Sequence, residues 1–303
     1  MSFQVVQPGT FSILVDSGRP RHRSLGIPVG GAADRAAWQI GNALIGNSPN
    51  AVALEITLSG PALQALADID VCIYGAPFRV ELDGIARQVG STISVQSGQR
   101  LSIGGTPRGV RGYLCVAGGF EAKEVLGSRT GFAPIQAGET LNCRSCAGRR
   151  RSLEQCDARE LLEIAAQSAD IRVLAGPQLS WFGNCAFFEQ SFQVSTASNR
   201  MGIRLQSSAL VRSAREMISE AVAPGAIQVT NDGQCIILCV DGQTIGGYPK
   251  IAHVIRADLD LLAQLRPGQM IHFSEVTMEE AEEIGVRHDR RLESWLKRLE
   301  LPA

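Results

Sequence analysis

The sequence predicts a mainly β protein, built as two β-rich domains with a few peripheral helices. Glycine is abundant, at 32 of 303 residues, and aromatic residues are sparse, at 5%. Short apolar runs are broken by Gly, Asp, Asn and Pro instead of extending into long amphipathic stretches, which favours many strands over long helices. The length argues for two domains, because a single core rarely keeps growing beyond about 250–300 residues.

In chain order, the first regular element is a helix after Gly31. Asp34 is placed to cap it, its apolar residues are Ala36, Ala37, Trp38, Ile40, Ala43 and Leu44, and Gly46 stops it. Strand runs follow at Val71–Tyr74, Phe78–Leu82, Thr92–Val95, Arg100–Ile103 and Gly112–Val116. Turn signals separate them, Asp83-Gly84 marks a hairpin, and the reading is one of successive antiparallel strands. Residues 144–168 change character, with Arg149-Arg150-Arg151 and then a polar run to Gln167, and mark the boundary between a first domain over 1–150 and a second over 169–277. The second β series runs through Ile171–Leu174, Gln193–Thr196, Gly202–Leu205, Ala226–Val229 and Cys235–Val240, with Asn231-Asp232-Gly233 as a tight hairpin. A charged amphipathic helix over 278–300 closes the chain, opened by the capping box Thr277-Met278-Glu279-Glu280.

Composition narrows the function. The formal net charge is −1 and charged residues make up 19%, so no global field recruits nucleic acid or an acidic membrane surface. The opening Met1–Val6 lacks a basic region followed by a long apolar run, and no stretch of about 18 apolar residues occurs, so a cytoplasmic protein is expected. Eight cysteines at uneven spacing do not make the dense framework of a small secreted domain. Cys72, Cys115, Cys235 and Cys239 lie in apolar runs, as small hydrophobes do. Cys143, Cys146 and Cys156 have no fourth zinc ligand nearby, so an arginine-rich connector is the better reading there and no metal is expected. There is no Gly-x-x-x-x-Gly-Lys-Ser/Thr loop, no Gly-x-Gly-x-x-Gly after a strand, no His-Glu-x-x-His and no Met-Lys-Met for attached biotin.

One segment stands out for its chemistry. Lys250 is one of three lysines beside 26 arginines, and it closes the run Asp241-Gly242-Gln243-Thr244-Ile245-Gly246-Gly247-Tyr248-Pro249-Lys250. A compact ammonium is something arginine's planar fork cannot imitate. Gly246-Gly247 allows close backbone approach and Pro249 stiffens the exit, while the run supplies a carboxylate, an amide, hydroxyls and an ammonium. An ordinary polar turn fits the same spacing. Upstream, Asn199–Arg204 carries Arg200 and Arg204, which suit a carboxylate or phosphate clamp, or else surface pairing with Glu216 or Glu220. The basic loop Asp16–Arg23 suits an anion or a solvated loop equally, with His22 read as a surface imidazole.

These segments resemble the carboxyltransferase subdomain 2 family, also called allophanate hydrolase subunit 2, which includes the C subunit of 5-oxoprolinase and KipA. The matching stretches include Asp16–Arg19, Gly26–Pro28, Ala53–Glu55, Tyr113–Gly119, Leu126–Arg129, Gly176–Gln178, Asn199–Gly202, Pro224–Gln228 and Gln243–Lys250. They run in order over nearly the whole chain. The family commonly has Gln-Asp and Ser-Gly-Ala-Met-Asp where this chain has Val15-Asp16 and Gly30-Gly31-Ala32-Ala33-Asp34.

The resemblance implies a cyclophilin-like β-barrel in the second half. It also implies a KipI-like B subunit as partner and, in the 5-oxoprolinase assembly, an A subunit of the LamB/YcsF type. The function it implies is that of a C-type subunit in ATP-dependent hydrolysis of a cyclic amide, 5-oxoproline to glutamate. ATP would be used by the complex, and no biotin would be attached to this chain. Within that function Lys250 and Arg200 meet the anionic group, Gln228 and Gln243 recognise the amide, and Tyr248 or Asp241 handles the proton. Thr244, Gly246 and Gly247 complete the binding segment. The same family leaves two alternatives open: a biotin-dependent carboxyltransferase component, as in urea carboxylase, and a KipA-like regulator that binds a kinase inhibitor.

Overall fold

The structure is a computed structural model that describes residues 1–144, 146, 148–152, 170–182, 186–212 and 217–300. Most of the connector expected over 144–168 lies outside the described residues, as do Cys156 and Glu216. Two compact units emerge, one made of Met1–Gly18, Asp34–Ala166 and Leu292–Ala303, the other of Arg19–Ala33 and Gln167–Arg291. The segment Arg19–Ala33, which sequence alone assigns to residues 1–150, therefore groups with the second unit. The physical reason is backbone pairing, since the Gly30 amide donates to the Val240 carbonyl at 2.8 Å.

The first unit holds β1 (Ser2–Gln7), β2 (Phe11–Val15), α1 (Arg35–Ile45), β3 (Ala53–Thr57), β4 (Ala62–Ala65), β5 (Ile69–Gly75), β6 (Val80–Leu82), β7 (Ile85–Arg87), β8 (Thr92–Val95), β9 (Arg100–Ile103), β10 (Arg111–Val116) and β11 (Thr140–Asn142). They form a six-stranded sheet in the order β11-β1-β4-β9-β6-β7 and a five-stranded sheet in the order β2-β3-β10-β5-β8. Phe3, Leu63 and Leu101 of one sheet and Leu54, Ile73 and Leu114 of the other are fully buried in one shared core. The strands are antiparallel, as the sequence predicts. Consecutive strands do not pair, however, except β2 with β3 and β6 with β7: from β5 onward the chain alternates between the sheets, with β5, β8 and β10 in one and β6, β7 and β9 in the other. Burial on both faces explains why β10 reads as a continuous apolar run. Its second face is covered by α1, whose Gly41 packs so closely that a Cβ there would stand 3.0 Å from Cys115 Sγ.

Local signals work as expected here. The Asp34 carboxylate accepts the Ala37 amide at 2.9 Å, and Gly46 ends α1 in the left-handed region at φ 83°. At the β6–β7 turn both Asp83 and Gly84 have positive φ, as a two-residue type I′ hairpin needs.

The second unit holds β12 (Asp170–Ala175), α2 (Ala186–Glu189), β13 (Phe192–Val194), β14 (Gly202–Gln206), β15 (Glu220–Ala221), β16 (Ala226–Val229), β17 (Cys235–Leu238), β18 (Ile245–Gly246), β19 (Lys250–Val254), α3 (Leu259–Leu262) and β20 (Met270–Glu275). The barrel implied by the resemblance is present as a closed ring, β12-β19-β16-β17-β14-β13-β20. The ring closes through a parallel β12–β20 pair. Ile203, Leu205, Ile227, Val229, Ile237 and Ile251 fill its interior. The Asn231–Gly233 hairpin joins β16 to β17, with the Thr230 amide donating to Gln234 O at 2.9 Å. A short ribbon of β15 and β18 pairs Glu220 with Gly246.

The final helix α4 (Met278–Glu300) opens with the predicted capping box. The Thr277 amide donates to Glu280 Oε2 at 2.8 Å and the Glu280 amide to Thr277 Oγ1 at 3.2 Å. Among the described residues no helix is long and apolar enough to cross a membrane. Burial pushes the thiols of Cys72 and Cys235 up to about 12, consistent with their packing as small hydrophobes.

Candidate functional site

The site is built on the outer face of the barrel, and strand alternation explains why. In β14, Ile203 and Leu205 point into the core, so Gly202, Arg204 and Gln206 point outward. The registers Arg204↔Ile236 and Ile236↔Gln228 then carry one outward row from β14 across β17 to β16. A β-bulge completes it. Ile227 pairs with Ala252 while Gln228 pairs with Lys250, so Ile251 is the extra residue on β19. Without the bulge Ile251 would face outward opposite Gln228 and Lys250 would turn toward the core. Bulges re-aim side chains in this way beside functional sites.

Above this row lies the 241–249 segment. A cavity of about 210 Å³ sits between them, lined by Asn199, Met201, Gly202, Arg204, Gln228, Ile236, Leu238, Gln243 and Tyr248. A second hollow, about 550 Å³, lies on the other side of Tyr248 and Gln243 and includes Ser219, Gly246, Gly247 and Asn231. Tyr248 and Gln243 line both.

Gln228 is 2% exposed. Its Nε2 donates to Tyr248 O at 3.4 Å, and its Oε1 accepts from Gln243 Nε2 at 3.2 Å. The two amides fit because position 246 has no side chain: a Cβ on Gly246 would lie 2.5 Å from Gln228 Nε2 and 2.6 Å from Gln243 Nε2. Thr244 is buried, and its carbonyl accepts the Val222 amide at 3.0 Å. Gly247 is exposed and lines the second hollow.

Lys250 is held on three sides. Its Nζ lies 2.9 Å from Glu220 Oε1 and donates to Ala221 O at 3.4 Å, while its amide donates to Gln178 Oε1 at 2.9 Å. Gln178 Nε2 reaches Glu220 Oε1 at 3.4 Å, closing a ring of three side chains around the strand start. Gly176 lets this loop approach, since a Cβ there would fall 2.3 Å from Lys250 O. Further along β19, His253 Nδ1 donates to Val254 O at 2.9 Å. Burial lowers its pKa below the ordinary value, with the Lys250 charge acting the same way against that hydrogen bond.

Arg200 and Asp241 are brought together as a pair. Arg200 is 6% exposed. Its Nε meets Asp241 Oδ2 at 2.7 Å and its Nη2 meets Asp241 Oδ1 at 3.1 Å, with Nη2 also donating to Gly31 O at 2.8 Å. This two-pronged contact fastens the start of the 241–249 segment.

The N-terminal motifs settle elsewhere. Asp16 Oδ1 accepts from the Gly18 amide at 2.9 Å, Ser128 Oγ at 2.5 Å and Thr130 Oγ1 at 2.7 Å, and Oδ2 accepts the Arg129 amide at 2.5 Å. Burial works to raise its pKa, but these hydrogen bonds together outweigh it and hold the carboxyl below its usual value. The Asp16 and Leu126–Thr130 stretches therefore form one structural lock. Tyr113 OH donates to Glu55 Oε2 at 2.9 Å and accepts the Asp34 amide at 2.8 Å, a second buried lock within the first unit. Arg23 donates to Val222 O. His22 is half-buried, not a surface imidazole.

Of the residues singled out from sequence, Gln228, Gln243 and Tyr248 converge on the cavity, Lys250 stands one strand away facing Glu220, and Arg200 and Asp241 bind each other. Gln178 is an addition that sequence reasoning misses as a site residue, and Glu220 changes partner. Sequence alone offers Glu220 as a partner for an arginine, whereas it takes Lys250. The signal for Arg204 as a lining residue is the period-two alternation of β14.

The closed seven-stranded barrel is the one that the resemblance to the carboxyltransferase family implies. The family model for the carboxyltransferase domain, subdomain A and B, matches residues 25–275, and the chain belongs to that family. It is 36% identical to the 5-oxoprolinase C subunit of Escherichia coli (strain K12) over 302 residues, covering 95% of each chain. It is 34% identical to the 5-oxoprolinase C subunit of Haemophilus influenzae over 281 residues, covering 90% of this chain and 91% of the relative. Among solved structures it matches K. lactis urea amidolyase with a TM-score of 0.87 and 27% identity, over 97% of this chain and 20% of that one.

Proposed function

We propose that this chain is the C-type subunit of a multi-subunit hydrolase that opens a cyclic amide, 5-oxoproline to glutamate, at the expense of ATP. End-to-end identity of 34–36% with two 5-oxoprolinase C subunits supports this. The single structural observation that carries it is the Gln228–Gln243 amide pair facing a small cavity. A lactam presents a carbonyl acceptor and an N–H donor side by side, and side-chain amides supply the complementary donor and acceptor.

Opening the ring adds water across the C–N bond and returns a proton to nitrogen, so the reaction needs stabilisation of charge on the lactam oxygen and a proton donor. Gln228 and Gln243 orient the amide, and their N–H groups offset the developing negative charge. Tyr248, lining the cavity, holds the proton for the leaving nitrogen. Lys250, with Glu220 beside it, supplies the positive charge on the same outer row. Arg200 and Asp241, bound to each other, act as positioning residues that fix the segment carrying Gln243 and Tyr248.

ATP use belongs to the assembly in this reading. The cavity of about 210 Å³ is smaller than the roughly 300–1,000 Å³ of typical ligand pockets. The partners proposed are a KipI-like B subunit and a LamB/YcsF-like A subunit.

A second reading, carboxyl transfer from a biotin carried by another protein, is favoured by the match to urea amidolyase. The two separate in one assay. Reconstituted with its B and A partners, the complex should hydrolyse ATP in response to 5-oxoproline, and Lys250→Ala should abolish this while leaving the complex assembled. Wild-type turnover by the variant would remove Lys250 from the mechanism. Tight partner binding without turnover would point to the regulator, and stimulation by carboxybiotin to the transferase.

A further inference from the structure

We propose that Arg204 reads a carboxylate on the bound amide, so that the cavity is specific for a small amide bearing an acid group over a neutral amide. This rests on the reading above. Among the described residues Arg204 is the one charged side chain lining the cavity, and no carboxylate lines it. The walls are otherwise apolar, from Met201, Ile236 and Leu238, with polar groups from Asn199, Gln228, Gln243 and Tyr248. An anion entering such a space meets a single guanidinium and no carboxylate on the walls, although the exposed Asp232 carboxylate also lies within electrostatic reach of Arg204.

The two arginines of this segment divide the work. Arg200 is buried and bound two-pronged to Asp241, which takes up its fork. The guanidinium of Arg204 makes no hydrogen bond or ion pair among the described residues, and only its backbone groups bond to a side chain, both to Ser198. It keeps its N–H fork for a ligand, the geometry that matches a carboxylate by two parallel bonds.

Register sets the distance. Arg204, Ile236 and Gln228 stand opposite one another on three neighbouring strands, and strands lie about 4.8 Å apart, so Arg204 and Gln228 are separated by roughly 10 Å at the backbone. Both line the cavity on either side of Ile236. A five-membered lactam with a carboxylate on the ring fits between an amide at one end and a guanidinium at the other. Gly202, the preceding outward residue of β14, has no side chain to fill that space, and a Cβ there would stand 2.9 Å from Ile236 Cγ2.

The test is calorimetric titration of the assembled complex with 5-oxoproline and with 2-pyrrolidinone, the same ring without the acid, using wild type, Arg204→Gln and Arg204→Lys. Arg204→Gln should weaken 5-oxoproline by about ten- to a hundredfold, the loss of charge-assisted hydrogen bonds, and leave 2-pyrrolidinone unchanged. Arg204→Lys should fall between. Wild-type affinity of Arg204→Gln for 5-oxoproline, or equal weakening of both ligands, would overturn the assignment to Arg204 while leaving the hydrolase reading intact. Failure of the wild-type complex to bind 5-oxoproline would overturn the hydrolase reading, and the carboxylate assignment with it.

Discussion

Replacing Gly246 with alanine puts a methyl carbon 2.5 Å from Gln228 Nε2 and 2.6 Å from Gln243 Nε2. Gly246 is not among the residues with positive φ, so the backbone accepts alanine and the effect is purely steric. Contact between carbon and nitrogen opens to about 3.4 Å, so each amide must retreat by about 0.8–0.9 Å. Gln243 is exposed and withdraws freely, whereas Gln228 is boxed in at 2% exposure and can only be pushed against its neighbours, so the two separate and the 3.2 Å bond between them breaks. The Gln228 oxygen is then left buried and unpaired, which costs about 1–3 kcal/mol. Turnover should suffer more than stability, because displacing a substrate-orienting group by about 1 Å lowers the rate by about a hundredfold. Urea unfolding of the chain and 5-oxoproline-dependent ATP hydrolysis by the complex measure the two effects. Wild-type kcat/KM in Gly246→Ala would refute the role of the amide pair, and loss of folding altogether would refute the assignment of Gln243 as the group that yields.

Arg200→Ala leaves Asp241 without its two-pronged partner and should destabilise the second unit by about 3 kcal/mol, at the low end for buried pairs because Asp241 is a third exposed. A urea midpoint equal to wild type would show the pair to be dispensable. For Asp16, the folded pKa lies below the ordinary value of 3.8, so its contribution is fully present above the unfolded pKa and is lost as pH falls below 3.8 through the depressed folded value. Asp16→Asn should be less stable than wild type at neutral pH, with the gap closing in acid. A pH-independent gap in unfolding midpoints would show that the carboxylate charge does not matter.

The parts legible in the sequence were those encoded within a few residues. Asp34 and Gly46 marked both ends of α1, Asp83-Gly84 marked its hairpin, and Thr277 to Glu280 marked the last helix, because caps and tight turns are local hydrogen-bond problems. Strand pairing was not legible, since β5, β8 and β10 join one sheet over intervening strands of the other and nothing local states the partner. The candidate site followed the same rule. The 241–250 segment was visible as a dense polar turn, but its pairing of Arg200 with Asp241 and of Lys250 with Glu220 depends on contacts far apart in sequence. The bulge at Ile251 that turns Lys250 outward has no sequence signature, because Lys-Ile-Ala reads equally well in either register.

The outward row and the inward core of the barrel occupy alternate positions on the same strands. Ile203, Leu205, Ile227, Val229 and Ile237 specify the fold, and Arg204, Gln228, Ile236 and Lys250, interleaved with them, face outward. Two messages are thus written on one stretch of chain and read by parity. Mutations on the outward letters can retune which molecule is recognised while the barrel stays assembled, so a lineage can change its chemistry without first reinventing its scaffold.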